Sequence, residues 1–73
     1  MPSALDRVRV VTPLDELPPI GAPASRALHG AGYTGLGQLT GVPRATLAAL
    51  HGVGPKALRV LDQALAEHGL RLG

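Results

Sequence analysis

The stretch LHGVGPKALRVL, residues Leu50–Leu61, decides the fold. Two glycines and a proline stand between two apolar, alanine-rich runs, and a lysine follows directly. A plain turn between helices needs one glycine. Gly52 and Gly54 both allow positive φ and carry no Cβ to obstruct an approaching group. Gly54 leads into Pro55, whose fixed φ suits the first position of a helix. Beyond it, Leu58, Leu61 and Leu65 recur at helical spacing, backed by Ala57 and Ala64, and form the longest apolar stripe of the chain. His68 and Gly69 close that helix. Upstream, Pro43 opens a shorter helix over 43–50 with Leu47 and Leu50 facing inward. The segment reads as helix, tight corner, helix, with Val53 as the apolar plug of the corner.

An earlier segment repeats the pattern. Leu17–Leu28 (LPPIGAPASRAL) and Leu50–Leu61 align without gaps at an offset of 33 positions. Leu17 falls on Leu50, Ile20 on Val53, Gly21 on Gly54, Ala24 on Ala57, Arg26 on Arg59 and Leu28 on Leu61. Two copies of one supersecondary unit can each cover the face that a single copy leaves wet. A helix is expected from Ala22 to Ala31, with Ala24, Ala27, Leu28 and Ala31 on one face and Gly30 and Gly32 ending it. Thr34 is expected to cap a single turn through Leu36 and Leu39 that stops at Gly41. Thr12-Pro13-Leu14-Asp15 reads as the start of a brief helix, stopped by Pro18-Pro19. Residues 1–12 read as an arm, with strand-like alternation from Arg7, and residues 13–73 as one domain.

The chain has 73 residues, no cysteine, no Phe and no Trp, and Tyr33 is its one aromatic residue. A domain of this size is marginal in buried surface. With neither disulfide nor thiolate metal site available, its core has to be closely packed Leu, Val, Ile and Ala. No apolar run reaches the ~18 residues of a membrane span, and the charged opening MPSALDRVRVV does not read as a signal peptide. A cytoplasmic, nucleoid-associated protein is expected, and the Arg-, Ala- and Gly-rich composition suggests a bacterial source. Net charge is +2, but its distribution is more telling. From Ile20 to Leu61 there is no acidic residue, while Arg26, Arg44, Lys56 and Arg59 lie inside that span. Such a one-sign field favours an anionic partner.

The corner suits the same partner. The first N–H groups of a helix have no internal acceptor, and the helix dipole adds partial positive charge there. A phosphate fits such a place. Pro55 has no N–H, so the expected donors are Gly52, Val53, Gly54, Lys56 and Ala57. Lys56 adds a full charge beside them, and Arg59 follows one turn on. Arg44 opens a helix, where its charge opposes the dipole; a phosphate partner would account for it.

The motif Leu47-x-x-Leu50-x-Gly52-Val53-Gly54-Pro55-Lys56-Ala57 resembles the helix-hairpin-helix family. In that family the Gly-hydrophobic-Gly hairpin holds DNA phosphates through backbone N–H groups without reading sequence. The wider span from Leu14 to Leu72 resembles the C-terminal domain of the bacterial RNA polymerase alpha subunit. The Leu-Asp-Glu-Leu opening, the Ala-Gly-Tyr-Thr connector and the closing AEHGLRL carry that resemblance. It implies an all-α, SAM-like bundle of four or five short helices made of two helix-hairpin-helix units that grip a minor groove. The expected DNA-binding set is Gly52, Val53, Gly54, Lys56, Ala57, Arg59, Arg26 and Arg44, of which the polymerase resemblance itself carries the second hairpin, with Gly54 and Lys56, and Arg26. The chain departs from the polymerase domain at Pro23, where that domain has its principal DNA-binding arginine. Similar segments also close some bacterial competence regulators, where they can bind protein instead.

Other chemistry is weakly signalled. Some helix-hairpin-helix glycosylases carry a catalytic lysine where Lys56 stands, but such enzymes need a base-flipping pocket and an acidic partner. This chain is too short for the first and places no Asp suitably for the second, so no enzyme activity is expected. His29, His51 and His68 do not share ligand spacing, so no metal or other cofactor is expected. Tyr33 reads as core packing rather than base stacking. In the first repeat Pro18 and Pro19 replace the hairpin donors, which makes that hairpin mostly structural. The expected partner is duplex DNA, with a homodimer or a protein partner engaged through the arm. The alternative is a protein-interaction module of the same fold with no nucleic-acid role.

Overall fold

The computed structural model describes residues 11–73. Among them stand three α-helices and one 3₁₀ turn: α1 (Ala22–Gly30), the turn Leu36–Leu39, α2 (Arg44–Ala48) and α3 (Pro55–Ala66). No strand occurs among the described residues. The alternating stretch that begins at Arg7 lies, up to Val10, outside them.

α3 is the axis of the molecule. Its stripe behaves as the spacing predicts: Ala57, Leu58, Leu61, Ala64 and Leu65 are all buried. α2 and the 3₁₀ turn pack on it. One continuous core joins these residues to Ala24 and Leu28 of α1, Leu36 and Leu39 of the turn, Leu47 of α2, Val53 and Leu72. Tyr33 is partly buried against that core. The core is Leu, Val and Ala throughout, and no polar or charged residue is buried among the described ones. The result is a small, compact, all-helical globule.

The helix ends follow from local chemistry. α1 stops in a Schellman arrangement: Tyr33 N–H donates to the Leu28 carbonyl at 2.8 Å and Gly32 N–H to that of His29 at 3.0 Å. Gly32 takes the left-handed φ of +93° that this stop requires. α3 closes the same way, through Leu70 N–H to Leu65 and Gly69 N–H to Ala66, both at 2.9 Å. The Ala22–Ala31 face is narrower than expected, because Ala31 is exposed. α2 is shorter than 43–50, with Pro43 as its N-cap and Leu50 only partly buried.

Two local expectations are overturned. Pro13 opens no helix: residues 14–16 form a single turn, with Glu16 N–H on the Pro13 carbonyl at 3.1 Å. The carbonyls that would continue it are taken by tertiary partners instead. Leu14 O accepts from Gly37 N–H at 2.9 Å and Glu16 O from Leu36 N–H at 3.0 Å. Gly35 makes that approach possible, since a Cβ there would lie 2.7 Å from the Leu14 oxygen. Nor does Thr34 cap the 3₁₀ turn. The Gln38 amide oxygen reaches back and accepts from Thr34 N–H at 2.6 Å and Gly35 N–H at 3.1 Å. At the other end, the tail after α3 lies along the α2 approach, with Gly41 N–H on Arg71 O and Gly73 N–H on Val42 O.

The repeat register is visible in burial. Ala24 and Ala57 are both buried, as are Leu28 and Leu61. Ile20 and Val53 both pack on the core, and so do Leu17 and Leu50. Arg26 and Arg59 are each the fifth residue of their helix, and both are exposed.

Candidate nucleic-acid interface

The corner between α2 and α3 is at the surface. Gly52 is exposed, Gly54 half-buried, and Val53 points inward with 7% of its surface left. Val53 is the plug that its position predicts. The two glycines do different work. Gly52 has φ +100°, and a Cβ built on it would lie 2.8 Å from the Pro23 carbonyl oxygen. It is therefore needed both for the turn and for the close approach of the corner to the first turn of α1. Gly54 has φ −105° and ψ −179°, ordinary extended backbone. A Cβ there would meet nothing within 4 Å. Gly54 does not use the positive φ that glycine permits, and the fold makes no demand for glycine at this position.

The donors at the corner are fewer than the sequence suggests. Val53 N–H is occupied, donating to Leu50 O at 3.1 Å. Leu58 N–H begins the α3 ladder on Gly54 O at 3.0 Å. Among the described residues no backbone carbonyl accepts from Gly52, Gly54, Lys56 or Ala57 N–H. Gly54, Lys56 and Ala57 stand at the N-cap, second and third positions of a twelve-residue helix with no side-chain cap. These are the positions whose N–H groups a helix leaves unpaired.

The cations divide around this point. Arg59 and Arg44 line a groove of about 420 Å³ together with Gly54, Pro55, Val53 and Leu58. Lys56 lines a second groove of about 240 Å³ with Pro19, Ile20 and Gly21, on the seam between the first-repeat hairpin and α3. Lys56 and Arg59 are one turn apart on α3, and both side chains are exposed. Arg26 is exposed on α1 and lines neither groove. Ala57 is buried, so only its backbone can contribute.

Arg44 differs from the other three, because its guanidinium donates to the Asp62 carboxylate. That ion pair accounts for a cation at the start of α2 without any external phosphate. Asp62 is the residue that sequence reasoning missed. The acid-free span from Ile20 ends where Asp62 begins, and that boundary was the available signal. Among the described residues no three His, Asp or Glu side chains come together as a metal site would require. No described helix is long and apolar enough to cross a membrane. No family model matches the sequence, and comparison with curated proteins and with solved structures returns no match.

Proposed function

We propose that the chain is a DNA-binding module that holds duplex phosphates at the Gly52–Ala57 corner, with little sequence preference. The observation that carries this reading is Gly54. It is glycine where neither backbone angle nor packing asks for one. Bare backbone there leaves room for an oxyanion against the N–H groups of Gly54, Lys56 and Ala57, with the Lys56 and Arg59 charges on the first two turns of the same helix. Val53, whose N–H is bonded to Leu50, then shapes the corner rather than donating to the ligand, and Gly52 makes the turn. The equivalent burial of the two repeats supports a bundle of two helix-hairpin-helix units, and their abutment at Gly52 and Pro23 supports a surface that follows both strands across a minor groove. Arg26 and Arg59, equivalent in the two copies, serve as outlying phosphate contacts.

Lys56, Arg59 and Arg26, which make no ion pair among the described residues, correspond as phosphate contacts to a log–log salt slope near −2.7, at about 0.9 per phosphate. Raising salt from about 50 to about 200 mM then weakens binding about 40-fold. Anisotropy of a labelled duplex at those two salt concentrations tests this, with wild type and Lys56→Glu side by side. The charge reversal is expected to cost at least about tenfold. Binding that responds neither to salt nor to Lys56→Glu overturns the reading.

A second reading, a protein-docking module of the same fold, is favoured by the apolar lining of the Gly54 groove, where Ala48, Val53, Pro55 and Leu58 meet. It predicts no duplex binding and no effect of Lys56→Glu.

A further inference from the structure

Arg44 lies on the rim of the groove that Gly54 and Arg59 also line. Its partner Asp62 is one turn beyond Arg59 on α3, so the two share a face of that helix. A single carboxylate is thus bonded to one cation of the groove and adjacent to another. Half of the Arg44 side-chain surface and a third of that of Asp62 remain exposed. Pairs this open are screened by salt and held loosely. A phosphodiester offers the guanidinium the same planar pair of oxygens that a carboxylate does.

We infer that Asp62 stands on Arg44 in the place of a DNA phosphate, so that the Arg44–Asp62 pair throttles the affinity of the groove and a phosphodiester recruits Arg44 only by displacing the carboxylate. The inference rests on the reading of the corner as a duplex-phosphate surface. It assigns Asp62 a role that a mere staple between α2 and α3 would not have. A staple affects stability, whereas a phosphate stand-in affects the number of counterions released on binding.

The test is a double-mutant cycle read by duplex anisotropy across a salt series, using the whole chain. Asp62→Asn frees Arg44 and is expected to tighten binding about three- to tenfold near 0.1 M salt and to steepen the slope by about 0.9. Glu67→Gln makes the same change of charge close by on the chain, at a residue with no bond to Arg44. It measures the general electrostatic effect and is expected to change affinity less than about twofold. In an Arg44→Ala background, the gain from Asp62→Asn should fall to the Glu67→Gln level. With Arg44 in place, Asp62→Glu should bind as wild type does. Asp62→Ala repeats the measurement with a strong helix former, with far-UV circular dichroism reporting the fold.

An Asp62→Asn gain no larger than that of Glu67→Gln overturns the inference. So does an equal gain without Arg44, or weaker binding on neutralising Asp62. If wild type nevertheless shows the salt slope and the Lys56 dependence, the inference alone has failed. If wild type binds without either, the phosphate reading fails with it.

Discussion

Replacing Gly52 and Gly54 by alanine, one at a time, separates the glycine that the fold needs from the glycine that a ligand needs. At Gly52 the methyl group meets two penalties. The φ of +100° is one that L-residues rarely adopt, costing about 1–2 kcal/mol. The Cβ also falls 2.8 Å from Pro23 O and 3.1 Å from Pro23 C, backbone atoms of α1 that cannot rotate aside. Moving the corner away from α1 adds about 1–2 kcal/mol of overpacking cost, for a total of roughly 2–4 kcal/mol. A domain of this length has about 4–11 kcal/mol of stability in all. Gly52→Ala should therefore lower Tm by roughly 10–30 °C. At Gly54 two small terms oppose each other. Alanine restricts the unfolded chain and stabilises by about 0.4–1 kcal/mol, while it is a poorer N-cap than glycine by a similar amount. The net change should lie within about ±0.5 kcal/mol. Duplex affinity should nonetheless fall severalfold, because a methyl group on Gly54 crowds an oxyanion held against that backbone. Urea denaturation and anisotropy on the same two variants make the comparison. Equal destabilisation of both variants would refute the division of labour between the glycines. An unaltered affinity in Gly54→Ala would remove the argument for a ligand at the corner.

Leu61→Ala should cost about 2–5 kcal/mol in urea denaturation, because Leu61 is fully buried at the centre of α3. Gly35→Ala should destabilise by about 1–3 kcal/mol, since its Cβ would strike the Leu14 oxygen and disrupt the backbone hydrogen bonds from Leu36 and Gly37; hydrogen exchange should quicken at both amides. Gln38→Leu should cost about 1 kcal/mol by removing the oxygen that satisfies Thr34 and Gly35 N–H. Arg44→Ala should change thermal stability by less than about 1 kcal/mol, because its ion pair with Asp62 is half exposed.

The features of the molecule that were legible in the sequence are those fixed by local pattern. Pro55 and the Leu58–Leu61–Leu65 period determine α3, and the glycines after α1 and α3 determine their stops. Val53 is readable as a plug because an isolated β-branched residue between two glycines has nowhere else to turn. What escaped is what depends on distant partners. Pro13 carries every mark of a helix start, yet the carbonyls of Leu14 and Glu16 accept from the 3₁₀ turn instead of from a continuing helix. The conformation of Gly54 escaped because a glycine permits positive φ without revealing whether it is used. Of the candidate site, the exposure of Lys56, Arg59 and Arg26 follows from their helical positions. The occupancy of Arg44 does not, since Asp62 lies 18 residues along the chain.

The central claim is that backbone N–H groups at the start of α3 are open to a polyanion. Backbone amide spectra recorded while a short duplex is added read those groups one by one. The largest shifts are expected at Gly54, Lys56 and Ala57, with Val53 less affected because its N–H is bonded to Leu50 O. Unchanged Gly54, Lys56 and Ala57 signals, or shifts gathered instead around Leu14 and Gln38, would contradict it.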